Sequence, residues 1–458
     1  HRDLHSFPTR RSSDLETRQQ KEQQKGLKTD SLRLREYRDK LFAAHERHRL
    51  LRDRFGREYP EYAQLFQDAR PLNIASLQAG MNEGTALLDY YMDSANTLYC
   101  FTVTRKGLDG SVTAIDSNFV NTISALTRSI KKMDKGGFLS HSHRLHEKLL
   151  RPQQKNLAAV TRLLIIPHGE LYKVPFEALL QKPVKAGNAN YSSLPYLING
   201  FDISYHYSAL LYRHGMEKER GASLRPERGD FLGFAPVFRD STRAAPVLAE
   251  LRSRSAYDSS YRSISIDGRR FNELRYSEDE VQTIMALFEQ QNKKATGYMH
   301  DQATEKQFKA SAGAHRLVHV ATHGLINESV PQLSGLIFSP DTDHKEDGVL
   351  YAAETFNLAL DADLLVLGSC ESGMGTLRAG EGLMSLTRGF LFSGARRVLV
   401  SLWKISDRHT RDFMATFYAD LLADRSCAAA ARTAKMAMIK NPATASPNMW
   451  SGFILIGD

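Results

Sequence analysis

A chain of 458 residues, 42% apolar and 25% charged, is long enough for two or three cores of ordinary globular composition, which excludes disorder throughout. The formal net charge is +9, but many of the basic residues lie in the first 75 positions, interleaved with acids, and no Lys/Arg stripe carrying aromatics follows, so specific nucleic-acid binding is not expected. Its three cysteines, Cys100, Cys370 and Cys427, stand far apart without metal-ligand spacing, and no apolar run approaches the roughly 20 residues of a membrane span. The expectation is a cytoplasmic protein in a reducing compartment, without a disulfide framework, a metal site, an organic cofactor or a membrane contact.

The opening HRDLHSFPTRRSSDL, residues 1–15, has neither helical nor strand periodicity and resembles a translated sequencing-adaptor tail. It is expected to be foreign to the protein, whose natural chain would then continue upstream; the other reading is a native disordered leader. Residues 16–71 form a segment dense in Arg, Lys, Glu and Gln, in which Leu34, Tyr37, Leu41, Ala44, His48, Leu51 and Phe55 alternate spacings of three and four. That stripe predicts a helical connector, either a short coiled-coil seam or a helix packed on an upstream array, ended at Pro60.

From about Leu72 short apolar segments take over. GTALLDYYM (84–92), TLYCFTVTRKG (97–107) and TRLLIIPHGEL (161–171) read as strands, the second hairpin-like, with a helix over 124–150 between them. The segment 194–215 closes this half, and residues 72–225 and 226–458 are taken as two α/β halves. In the second, DFLGFAPVF (230–238) is an apolar segment among polar ones, and Arg239–Ser265 reads as a long surface loop, mobile or ordered by a partner. Then follow a helix over 277–291, strands over 315–324 and 362–370, a helix after Gly380 to Ser393, a strand over 395–403, a helix over 407–422 and a terminal strand over 453–457. These strands are continuous apolar runs, the mark of parallel strands buried on both faces.

Two of them end in reactive groups: HVATHG delivers His323 and LVLGSC delivers Cys370, each at the carboxyl end of a buried strand, where open α/β sheets place their sites. If the strands are neighbours, the histidine can take the thiol proton, and the N–H groups of Gly324 and Cys370 can bind the oxyanion of a tetrahedral intermediate. The interval of 47 positions is close to the histidine-to-cysteine spacing of about 50 in caspases. Taken alone, a strand-end cysteine also reads as an inert core thiol and a strand-end histidine as a structural group. SGMGTLRAGEG (372–382) invites comparison with a dinucleotide-binding turn, but its glycines do not match G-x-G-x-x-G and no acid ends the next strand.

The runs HVATHGLINESVPQLSGLIFS, DGVLYAAETFNLALDADLLVLGSCESGMGTLRAGEGLMSLTRGFLFSGARRVLVSLWKISD and WSGFILIGD, with EGTALLDYYM, LLIIPHGELYKVPFEALL and LGFAPVF upstream, resemble the CHAT domain family, and more distantly separase, over about Leu72–Asp458. The resemblance implies an α/β, caspase-haemoglobinase-like, mostly parallel sheet flanked by helices. It implies a Cys/His dyad at Cys370 and His323, a first half that is a degenerate pseudo-protease unit, and a connector that follows tetratricopeptide repeats. Where many relatives carry Ser-Ala before the cysteine, this chain has Gly368-Ser369, also small. Separase-like relatives place an acid at the position of Asp407, which implies an S1 pocket for Arg or Lys with Trp403 as lining; Asp407 also reads as the cap of a helix beginning at Arg408. Glu371 and Glu381 are further acids near the cysteine, for substrate or for structural ion pairs. The function expected is a cysteine endopeptidase acting on a protein substrate and regulated by a partner through upstream repeats, the alternative being a latent caspase-like scaffold.

Overall fold

Apolar runs and alternating runs take different places in one sheet. A computed structural model of the protein describes residues 72–457, apart from positions 94, 186, 188, 221–227, 238–262, 267–268, 273, 275, 326–333, 342–345, 369–376, 379–381, 384–385 and 404. The expected tail (1–15) and connector (16–71) lie outside the described residues, as does most of the expected loop 239–265. The last three positions of that loop belong instead to a short hairpin, Ser263–Ile266 paired with Arg269–Asn272.

Eleven strands make the main sheet: β1 (Thr85–Met92), β2 (Thr97–Thr104), β3 (Gly107–Ala114), β4 (Arg162–Ile166), β5 (Asp202–Tyr205), β6 (Gly229–Ala235), β7 (Ala295–Met299), β8 (His315–Val320), β9 (Leu364–Leu367), β10 (Val398–Ser401) and β11 (Phe453–Ile456). Their order is β3-β2-β1-β4-β5-β11-β10-β9-β8-β6-β7. The pairings are parallel except in the β1-β2-β3 meander and between β10 and β11. The protein is thus a mixed α/β molecule with a large, mostly parallel sheet. The runs LLVL, VLVS and FILI of β9, β10 and β11 are wholly buried, because helices cover both faces of parallel strands. By contrast β3, GLDGSVTA, is the exposed edge, with Leu108 and Val112 open to solvent.

The helices follow from amphipathic spacing. The expected helix over 124–150 is two: α1 (Asn118–Lys131) and α2 (Lys135–Leu149), divided where Met133 takes φ 55° and Asp134 caps the second through Gly137 N–H. Further along are α3 (Ala209–Arg220), α4 (Ser277–Glu289), α5 (Glu305–Ser311), α6 (Leu386–Phe392), α7 (Asp407–Leu422) and α8 (Cys427–Lys440). In α4 the acids Glu278, Asp279 and Glu280 occupy the first turn, which the helix dipole favours, while Val281, Ile284 and Phe288 face the core. The helix expected from Gly380 begins only at Leu386, because Leu377–Arg378 pairs antiparallel with Gly382–Leu383. That pairing is not the strand-to-helix geometry of a phosphate turn.

The segments expected as two halves, 72–225 and 226–458, share one apolar core and meet across β5 and β11. In the sheet, β5 meets β11 at Tyr205 and Ile456. Behind it α8, which packs on α7 and β5, sends Lys435 to Glu177 at 2.5 Å, and Tyr205 donates its hydroxyl to the other oxygen of Glu177, also at 2.5 Å. Lys435 is 2% and Glu177 1% exposed, so the pair is fully desolvated. Arg432, one turn earlier, donates to the carbonyls of Ile198 and Asn199.

One glycine is fixed by its backbone. Gly394, between α6 and β10, has φ +115°, and a Cβ there would stand 1.9 Å from the carbonyl oxygen of Leu360. Gly394→Ala is expected to cost at least about 2 kcal/mol, read as a lowered midpoint of thermal or urea unfolding. An unchanged midpoint would show that the backbone around Leu360 relaxes.

Candidate active site

The two strands that carry the expected dyad are neighbours. β8 and β9 pair in parallel, Val318 with Leu365, His319 with Val366 and Val320 with Leu367, and Gly368 N–H donates to the Val320 carbonyl at 2.9 Å. The chain therefore leaves the sheet at the same carboxyl edge from both strands. His323 lies three residues beyond Val320 and Cys370 three beyond Leu367. Cys370 itself, with Glu371 and Glu381, lies outside the described residues.

His323 is buried, 6% exposed, and its carbonyl accepts from Ile337 N–H at 3.0 Å. Thr322 donates its hydroxyl to the Ile337 carbonyl beside it. Gly324 opens a two-residue strand, Gly324–Leu325, that pairs antiparallel with Gly335–Ile337, which pairs in turn with Val349–Tyr351. This three-stranded ribbon, absent from the sequence expectations, fixes the backbone on either side of the histidine.

The other two cysteines are described, and both are core thiols. Cys100, on β2, is 3% exposed, and burial pushes its thiol up to about 12. Cys427, at the start of α8, is 8% exposed and its thiol is also pushed up by burial. Neither offers a thiolate near neutral pH, so the inert reading that a single cysteine invites holds for these two.

On β8 lies a buried polar group absent from the sequence expectations. His319, four residues before His323 and within β8, is 0% exposed. Its Nε2 lies 2.8 Å from Oε1 of Glu280 on α4, and its Nδ1 lies 3.1 Å from the hydroxyl of Tyr418 on α7. With Nε2 as donor to the carboxylate, Nδ1 accepts from the phenol and both ring nitrogens are satisfied. A Cβ on Gly368 would stand 3.0 Å from that same Glu280 oxygen. The strand leading toward Cys370 thus passes the carboxylate with no room for a side chain. The signal available in the sequence was His319 itself, a polar interruption of an apolar strand.

The expected S1 residues lie after β10. Asp407 is the first residue of α7, and the N-cap is Ser406, whose hydroxyl meets His409 Nδ1 at 2.6 Å. The cap therefore falls one residue before Asp407. Trp403 is 2% exposed, donates Nε1–H to the Asn448 carbonyl at 2.9 Å, and packs its indole edge against Gly452, where a Cβ would approach to 2.9 Å.

Among the described residues, two groups have ligand-type atoms close enough to share a cation: His143, His146 and Glu147 on α2, and Glu305, Glu346 and Glu354. The Lys309 ammonium lies 2.6, 2.8 and 3.0 Å from one oxygen of each of the three carboxylates. That second group is thus an ion-paired cluster tying α5 to the ribbon that follows His323.

Comparison with known proteins gives this arrangement a setting. A family model described as the CHAT domain matches residues 140–458, a shorter span than the resemblance argued from Leu72. The chain is 25% identical over 390 residues to tetratricopeptide repeat protein 28 of Homo sapiens, covering 76% of this chain and 14% of that protein. To the Mus musculus protein of the same name it is 37% identical over 109 residues, 24% of this chain and 4% of that one. The chain thus spans only a small part of the curated relatives it matches. Among solved structures it is similar to the Saccharomyces cerevisiae separase–securin complex, at 7% identity and TM-score 0.48 over 83% of this chain and 30% of that one. It is also similar to the Arg-specific cysteine proteinase gingipain R, at 11% identity and TM-score 0.42 over 74% of each chain. Among the described residues no helix is long and apolar enough to cross a membrane.

Proposed function

The chain belongs to the CHAT domain family, and on that premise we propose that it is a cysteine endopeptidase in which Cys370 is the nucleophile and His323 its base. The observation that carries this reading is the parallel pairing of β8 with β9, which brings the two strand ends to one edge of the sheet. Cys370 Sγ attacks the scissile carbonyl carbon as His323 takes the thiol proton. The carbonyl oxygen, now anionic, is held by the N–H groups of Gly324 and Cys370. Collapse of the intermediate breaks the C–N bond, His323 returns the proton to the leaving amine, and water then hydrolyses the thioester. No metal or organic cofactor enters these steps. The substrate is a protein, and a partner bound through upstream tetratricopeptide repeats regulates its cleavage.

The burial of His323 favours an enzyme held latent, because a base 6% exposed needs local opening before a peptide can reach it. The test is an activity-based probe for nucleophilic cysteines. Labelling of Cys370 that depends on an added partner supports regulated proteolysis. No labelling under any condition supports the alternative, a scaffold that keeps the fold and never cuts.

We assign the S1 site to Asp407, with Trp403 as the buried wall behind it, and cleavage after Arg or Lys. A carboxylate facing guanidinium forms charge-assisted, bidentate hydrogen bonds. Asp407→Ala is expected to lower kcat/KM for Arg-terminated fluorogenic peptides by about 100-fold, with little change for peptides ending in neutral residues. Unchanged selectivity would leave Asp407 only its place in the first turn of α7, where a carboxylate is favoured by the helix dipole.

A further inference from the structure

A cluster of basic residues lies at the end of the sheet opposite His323. A cavity of about 690 Å³ opens there, within the range of small-molecule sites. Its walls come from the amino ends of parallel strands: Arg162 begins β4, Arg316 is the second residue of β8, and Arg396 and Arg397 lead into β10. Lys293 and Arg425 complete the basic lining. Three carboxylates, Asp230, Asp363 and Asp424, share the cavity, so six cations face three anions and the lining carries a net charge of +3. Asp363 is approached by Arg316 at 2.9 Å, Arg396 at 3.4 Å and Arg228 at 3.5 Å. These guanidinium groups hold its carboxyl below the usual range, so it stays anionic and offsets part of their charge, which the net charge of +3 already includes.

A second, independent source of positive potential enters the same space. Ser426 and Cys427 line the cavity at the amino terminus of α8, a 14-residue helix whose dipole places roughly half a positive charge there. Burial lowers the pKa of Arg162, and the nearby Arg397 lowers it further against the opposing pull of Asp202. Clustered guanidinium groups with a helix amino terminus are the chemistry that phosphate groups satisfy, by paired hydrogen bonds and by charge.

We propose that this cavity, between the amino ends of β4, β8 and β10 and the start of α8, binds a small molecule bearing two or more phosphate groups. The site is distinct from the dyad, which stands at the carboxyl ends of β8 and β9. It does not depend on peptidase activity, and its occupation is read by binding alone.

Isothermal titration of the full chain with inorganic tripolyphosphate, at fixed ionic strength, is the direct test. Saturable binding is expected, with a rise in the thermal unfolding midpoint that sulfate at equal ionic strength does not produce. Arg425→Glu and Lys293→Glu, both at the rim, are each expected to weaken binding by about tenfold or more, as loss of a charge-assisted contact implies. Because Arg425 pairs with Asp420 through a side chain that is itself 60% exposed, its replacement should leave the fold intact, which the unfolding midpoint without ligand checks. Absence of saturable binding up to about 1 mM, where the binding free energy is about −4 kcal/mol, would overturn the proposal. So would affinity in both variants unchanged from that of the unaltered chain, or tighter binding of a poly-glutamate peptide than of tripolyphosphate.

Discussion

His323→Ala is expected to lower peptide hydrolysis by about 10⁴-fold, to the level of Cys370→Ala, and the double variant is expected to fall no further. The non-additivity follows from the two groups acting as one unit: without a base the thiol is not a thiolate near neutral pH, and without the thiol the base has no proton to accept. Loss of a merely structural histidine would instead add its cost to that of the cysteine. A second readout separates the cases without any substrate. Alkylation of Cys370 should proceed well below the free-thiol pKa of about 8.5 in the native chain, and its pH profile should move toward that value in His323→Ala. Cys100 and Cys427 provide the internal control, since burial holds both thiols up and both should resist alkylation until the chain unfolds. An unshifted profile would remove His323 from the chemistry.

Lys435→Met should be the most destabilising of the changes considered, by about 3–5 kcal/mol, against a total stability of about 5–15 kcal/mol for typical domains. The substitution preserves length and packing but leaves the Glu177 carboxylate, 1% exposed, with a tyrosine hydroxyl as its remaining close partner. Glu177→Gln in the same chain removes that buried charge while keeping an acceptor for Tyr205, and should recover most of the loss. Chemical denaturation followed by two probes, one in each half, measures both effects. A single lowered midpoint shared by the two probes is expected, because the pair joins the segment after β4 to α8, which packs on β5 and α7. A midpoint that moves for one probe only would show that the halves unfold separately, and an unchanged midpoint would show that water reaches Glu177.

Much of this architecture can be read from the residues. LLVL, VLVS and FILI are too apolar for anything but central strands, and the Asp407–Leu422 helix was bounded correctly from its spacing. Elsewhere local signals competed. The helix expected over 124–150 is broken at Asp134, whose capping role was readable only as one polar residue among many. α8 was missed because CAAAARTAKMAMIK has a face of small residues rather than of large apolar ones, and it packs closely through that face. β7, ATGYM, is half-buried throughout and carries neither a run nor an alternation. At the candidate site, His323 stood out because it ends an apolar strand. Glu280 did not, because the acids of SEDE look like a solvated first turn, and only the fold shows one of them turned inward onto His319. Lys435 was hidden for the same reason: a helix face cannot be known as buried until its neighbour is.

The pairing of β5 with β11 has a consequence for how the chain is made. Tyr205 and Ile456 are 251 positions apart, so at ribosomal speeds of about 5–20 residues per second the outer edge of β5 waits on the order of ten to fifty seconds for its partner. β10 waits for the same strand on its other side. For the last part of that interval, about 3–10 seconds, two sheet edges that later meet one strand are open at once, and each is able to pair with the wrong chain. The strand order thus leaves the middle of the sheet, rather than its rim, as the last part to be closed.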